Sequence, residues 1–161
     1  MSESNIPFDR LGIPEPMRKH VEPDAPLKVR MAAAKGLVPT TIDVQLALCT
    51  VLFGDDDGEV RAAAGATART LPGENVAAAL HQRTHPKILE MLAFARPGDS
   101  AVGARILTIR DATHTAAIAI ARNASTELCE RIAINQERLL ITPRVIVALN
   151  ANENCSEESL E

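Results

Sequence analysis

Gly54-Asp55-Asp56-Asp57-Gly58-Glu59-Val60-Arg61-Ala62-Ala63-Ala64 is the stretch on which the reading of this chain turns. A glycine, three carboxylates and a second glycine make a turn. Glu59 then falls in the first turn of a helix, where an acidic side chain suits the free amides and the helix dipole. The run that follows, rich in alanine, is strongly helix-forming. Lys28-Val29-Arg30 followed by Met31-Ala32-Ala33-Ala34 is a second version of the same opening, and Val29 and Val60 stand 31 residues apart. Ala117-Ile118-Ala119-Ile120 leading to Asn123, and Ile146-Val147-Ala148-Leu149 leading to Asn152, recur at an interval of 29 residues. Self-similarity at such a period marks a stacked array of helical repeats.

Composition agrees with helices. The 161 residues suffice for a sizeable core, yet Trp and Tyr are absent and Phe occurs three times, so Ala, Leu, Ile and Val must fill the interior. Small side chains let helices approach closely, whereas strands favour the aromatic and β-branched residues that are sparse over much of this chain. An all-α domain is expected. The formal net charge of −4 argues against a general nucleic-acid binder, which needs a basic stripe to neutralise phosphates. The opening MSESNIPFDRL lacks the apolar core of a signal peptide, and no stretch approaches the ~20 apolar residues of a membrane span, so a cytoplasmic location without a span is expected. Cys49, Cys129 and Cys155 are distant in sequence, odd in number and without a CxxC. They are read as small buried or near-surface thiols, not as a disulfide framework or a metal site.

Pro7, Pro14, Pro16, Pro23 and Pro26 make residues 1–26 an arm, in which Ile6, Phe8, Leu11 and Ile13 are candidate docking anchors. From residue 27 to 161 the repeats run on. One helix is predicted over Leu27–Leu37, and Thr40 or Thr41 caps a second with Ile42, Leu46, Cys49, Leu52 and Phe53 on one stripe. Glu59–Thr70 and Glu74–Gln82 form the next pair, divided by Leu71-Pro72-Gly73. Pro86 and Pro143 sit at early helical positions, where a missing amide costs little. The register at Cys155-Ser156-Glu157 opens one more short helix that stops at Glu161. The last repeat is therefore incomplete, either as a polar cap or because a longer protein was cut there.

GDDDGEVRAAAGATARTL resembles the inter-repeat turn and first helix of bacterial HEAT-like repeats, a resemblance that covers about residues 27–82. ARNASTELCERIAIN and LNANENCSEESLE are similar to leucine-rich repeat variant units, whose helices end in Asn-containing turns; THPKILEMLAF and ITPRVIVALNAN repeat the short second opening. The resemblance implies a right-handed α-solenoid of stacked antiparallel helix pairs that holds other proteins. Repeat lengths vary, and the N-terminal cysteine cluster of some leucine-rich repeat variant proteins is missing, so an iron–sulfur function is not implied.

Counted from Asp55, the twelfth position of a calcium loop is Ala66, which cannot supply the terminal carboxylate, so the acidic run is read as a helix cap. In Gly98-Asp99-Ser100-Ala101-Val102-Gly103 the second glycine falls one residue late for a nucleophile elbow; Asp99 or Ser100 is expected to cap a helix. His81 and His85 have an i,i+4 interval, but Pro86 places His85 ahead of a helix and breaks their common face. Arg105, Arg110, His114 and Arg122, together with Asp111, form the candidate partner-binding region, because guanidinium groups grip carboxylates or phosphates bidentately. Gln45, His81, Gln82 and Arg131 are candidate liners of a groove. The expected function is a non-enzymatic scaffold or adaptor for a protein or peptide, with no cofactor, no metal and no catalytic residue. Two alternatives stand beside it: an enzyme or enzyme subunit on a HEAT-like fold, such as a bilin lyase-like protein, and a homo-oligomer stacked through its repeat ends.

Overall fold

A computed structural model describes residues 5–160. Met1–Ser4, within the stretch read as an arm, and Glu161 lie outside the described residues. All regular structure among the described residues is helical, with no strand. The helices are α1 (Phe8–Leu11), α2 (Glu15–Arg18), α3 (Leu27–Ala34), α4 (Ile42–Leu52), α5 (Gly58–Thr70), α6 (Gly73–Ala79), α7 (Pro86–Ala95), α8 (Ser100–Leu107), α9 (His114–Asn123), α10 (Thr126–Ala133), α11 (Gln136–Ile141) and α12 (Arg144–Asn150), followed by a 3-10 turn over Glu157–Leu160. They form two compact units, Met1–Ala79 and Leu80–Glu161.

In the first unit α4 packs against α3, α5 and α6. Val44, Leu46, Ala47, Leu48, Cys49 and Leu52 are all buried, so α4 is apolar on more than the single stripe read from its sequence, while Phe53 is partly exposed. Thr41 occupies the N-cap position of α4 with extended backbone, but its hydroxyl makes no capping bond. α3 stops earlier than predicted. Gly36 adopts φ 71°, its amide donates to Ala33 O at 3.0 Å, and Leu37 N donates to Ala32 O at 3.0 Å. This left-handed closure leaves Leu37 exposed. Residues 5–26 fall within this unit. Gly12, at φ 79°, turns the chain after α1 so that Ile13 N bonds Phe8 O, and Leu11, Ile13 and Val21 are buried, leaving Ile6 and Phe8 as the half-exposed members of the predicted anchors.

Two carboxylates of the acidic turn, Asp55 and Asp57, have separate structural settings. Asp57 caps α5, accepting from Glu59 N at 2.8 Å and Val60 N at 3.1 Å. Asp55 accepts from Asp57 N at 2.9 Å and pairs with Arg30 Nη1 at 2.5 Å; both side chains of that pair are largely buried. Arg30 Nε also donates to Ala25 O at 3.0 Å, and Thr67 Oγ1 donates to Ala34 O at 2.6 Å. These bonds tie α3 to the turn and to α5.

In the second unit α9 lies between α7 and α12, while α8 and α10 contact each other beside that row. Ala116, Ala117 and Ala121 are fully buried on α9, which is how the flanking helices come close. Gly103 serves the same end on α8: a Cβ there would meet Leu128 Cδ2 at 3.1 Å and Ile120 Cγ2 at 3.2 Å. Helix starts follow the capping rules. His85 precedes Pro86 and accepts from Lys87 N, and Asp99 accepts from Val102 N at 3.0 Å. Thr113, Ser125 and Asn135 cap α9, α10 and α11.

Burial pushes the Asp99 carboxyl upward, but the Val102 amide and the Arg96 guanidinium outweigh it and hold the group below its ordinary value. Asp99→Asn should therefore lower stability by about 1 kcal/mol at pH 7. The deficit should shrink as pH falls through about 3.9 toward the lower folded-state value, because a depressed carboxyl stabilises the fold only while it is ionised. Urea titrations at several pH values test this; a pH-independent deficit contradicts it. Arg30→Met should cost about 3 kcal/mol in the same assay, since it strands a buried Asp55 carboxylate.

Candidate functional site

The sequence-predicted cluster does not gather as one surface. Arg105 is taken up inside the fold, its Nε and Nη2 donating to Leu80 O at 3.1 and 2.9 Å. His114 bonds the buried Thr142 hydroxyl through Nδ1 at 2.7 Å. Arg122 is exposed in the last turn of α9, at the opposite end of that helix from the turn that holds Arg110 and Asp111. Of the four, Arg110 lines a sizeable cavity that the other three do not.

That cavity, about 570 Å³, lies between the 108–111 turn and α11. Gln82, Leu107, Arg110, Asp111, Glu137, Arg138 and Ile141 are among its lining residues. Gln82 shapes the turn: its Nε2 donates to Thr108 O at 2.9 Å and its Oε1 accepts from Arg110 N at 3.1 Å. Gln82 and Arg138 thus both fasten the segment after α8. Arg138, missed in the sequence, is the central group. It is buried at 6% exposure, and its Nη2 donates to Leu107 O at 3.2 Å and Ile109 O at 3.0 Å. Its Nε and Nη1 find no acceptor, and neither it nor Arg110 forms an ion pair, among the described residues.

The lining therefore carries two guanidinium groups, two carboxylates that do not pair with them, and apolar walls at Leu107 and Ile141. A guanidinium with free donors in a sheltered site gives a carboxylate a charge-assisted hydrogen bond, and the nearby Asp111 and Glu137 suit a cationic neighbour on the same ligand. The lining has no nucleophile beside a base. Its hydroxyl, Thr108 Oγ1, donates to Arg105 O at 2.6 Å, and no His or Cys belongs to it.

Ser100, His81 and His85 have structural partners. Ser100 Oγ lies 2.9 Å from Ser125 Oγ at two helix starts. The Nδ1 atoms of His81 and His85 accept from the amides of Arg83 and Lys87, both at 3.1 Å. No group of three metal-binding side chains occurs among the described residues, and no described helix is long and apolar enough to cross a membrane. Arg131 is exposed on α10, Gln45 is half-buried on α4, and neither lines the cavity. No sequence pattern marked Arg138, because its value comes from carbonyls 29 and 31 residues away.

Comparison with protein-family models, with characterised proteins and with solved structures gave no match.

Arg138→Met should lower stability by about 1–3 kcal/mol, since two carbonyls lose their donor. Arg110→Glu should change it by less than about 0.5 kcal/mol. Urea denaturation of both variants separates a group built into the fold from one displayed on it, and equal losses would contradict this assignment.

Proposed function

We propose that this chain is a non-enzymatic scaffold that binds a protein or peptide partner on its second unit, in the cytoplasm and without a cofactor. The observation that carries this is the inversion of α11. Its buried residue is a cation, Arg138, while Leu140 is 81% and Ile141 49% exposed. Ile134 and Val147, at the flanks, are 80% and 67% exposed. Large apolar side chains in water beside a polar cavity are the composition of an interaction surface, with an apolar contact area and a few charges that set orientation. Ile141 belongs to both the apolar group and the cavity lining, so the two form one surface. A peptide that fits it offers a carboxylate to Arg110 and Arg138 and apolar side chains to Leu140 and Val147.

The HEAT-like reading of stacked helix pairs is part of this proposal. It is supported by a regular spacing: Arg138 and Asn152 bond carbonyls 28 to 31 residues back in the chain, and Thr67 bonds one 33 residues back. Those intervals match the period of the sequence repeats.

Selection from a random peptide display library tests the function. Enriched peptides should combine an acidic residue with apolar ones, and should bind Leu140→Glu at least tenfold more weakly than wild type while that variant keeps its helicity. Enrichment of nothing, or of peptides indifferent to Leu140→Glu and Arg110→Glu, would overturn the reading.

A further inference from the structure

Cys129 and Cys155 are distant in sequence, but the fold brings them together. Cys129 is buried on α10, and the 3-10 turn that follows Cys155 packs against the same helix. Asn152 is the hinge of this arrangement. Its Nδ2 donates to Ala121 O at 2.8 Å and Ala124 O at 2.9 Å and lies 3.5 Å from Cys129 Sγ. Its own carbonyl accepts from Cys155 N at 3.0 Å, and its Oδ1 from Asn154 N at 2.8 Å. Asn154 Nδ2 adds a bond to Ala124 O at 3.3 Å. The turn is thus pinned to the end of α9, just ahead of α10, and Asn152 bonds both the buried Cys129 thiol, through its side chain, and the backbone of the half-buried Cys155.

We propose that Cys129 and Cys155 are a redox pair that closes to an intramolecular disulfide when the protein meets a peroxide, and reopens with a thiol reductant. The bond would bracket α11 and α12, the segment that carries Arg138, Leu140 and Val147. The chemistry divides between the two sulfurs according to their surroundings. Burial pushes the Cys129 thiol up to about 11, with the neighbouring Cys155 adding to the shift. Cys155, being more exposed, is the sulfur that meets the oxidant. Its thiolate attacks one peroxide oxygen, breaking the O–O bond, and becomes a sulfenic acid as hydroxide leaves. Cys129 sulfur then attacks the sulfenic sulfur; the S–S bond forms, and the departing hydroxide takes the Cys129 proton as water. Overall two thiols and one peroxide give one disulfide and two waters, the thiols losing the two electrons that the O–O bond accepts. Cys49, fully buried on α4 with its thiol pushed up to about 12, stays reduced.

The test is to treat the reduced 161-residue protein with hydrogen peroxide, block free thiols with N-ethylmaleimide under denaturing conditions, and map tryptic peptides without reductant. Trypsin separates the cysteines, cutting after Arg122 and Arg131 on one side and after Arg144 on the other. A covalent pair of peptides 123–131 and 145–161 is expected, lost on dithiothreitol treatment and absent from Cys155→Ser and Cys129→Ser, with the Cys49 peptide alkylated. Oxidised wild type should melt several degrees higher than reduced, and Cys155→Ser should show no such rise. Covalent dimers through Cys155, or Cys155 oxidised to a sulfinic acid while Cys129 is still alkylated, would overturn the proposal. Cys155→Ser guards against misfolding as the cause, because that side chain is only half-buried.

Discussion

Short helices have many ends, and the unsatisfied amides and carbonyls at those ends are the constraint on which this structure depends. Each helix leaves four amides and four carbonyls without intrahelical partners, and the helices here run from four to 13 residues. The chain meets this need in two ways. Starts are capped locally, by Asp57, His85, Asp99, Thr113, Ser125 and Asn135. Exits are met from a distance: Thr67 reaches Ala34 O, Arg105 reaches Leu80 O, Arg138 reaches Leu107 and Ile109, and Asn152 reaches Ala121 and Ala124. Each distant bond also fixes how one helix lies on another, so satisfying the backbone and stacking the helices are one problem with one solution.

Small side chains make that solution reachable. With Ala116, Ala117 and Ala121 buried on α9, and Gly103 opposite Leu128 and Ile120, neighbouring helices come within reach of arginine and asparagine side chains. Bulkier residues would separate the helices, and the long-range bonds would lose their geometry. The alanine-rich composition therefore lowers the apolar area that each residue buries but allows these polar ties between helices.

What was legible in the sequence is local, and what was not is distant. The turn at Asp55–Glu59, the cap at Asp99 and the proline at the start of α7 depend on neighbours a few residues away, so spacing alone revealed them. Thr41 looked like a cap and makes no capping bond, since residue type alone does not set where the hydroxyl points. In the candidate site, Arg110 was readable as an exposed cation near a turn. Arg105 and Arg138 carry the same side chain, yet one is held by a carbonyl 25 residues away and the other by carbonyls 29 and 31 away. Nothing in their own neighbourhoods separates a displayed arginine from one that fastens the fold. The approach of Cys129 to Cys155 was hidden for the same reason, as it arises from Asn152 docking on the end of α9 beside Cys129.

The inversion of α11 is where local rules and stability part company. A helix chosen for stability alone turns its leucines inward and its arginines outward, because apolar burial is the main favourable contribution and a buried cation without a carboxylate loses hydration. Here Leu140 is in water and Arg138 is inside. Part of that arrangement is structural, since Arg138 closes the carbonyls at the end of α8. That role accounts for one Nη2 group and leaves Nε and Nη1 open, and it gives no reason for the exposure of Leu140, Ile141 and Val147. Departures from the local rules that structure does not explain fall where a chain meets something else, and on that ground we propose the surface around α11, ahead of the other exposed faces, as the point of contact.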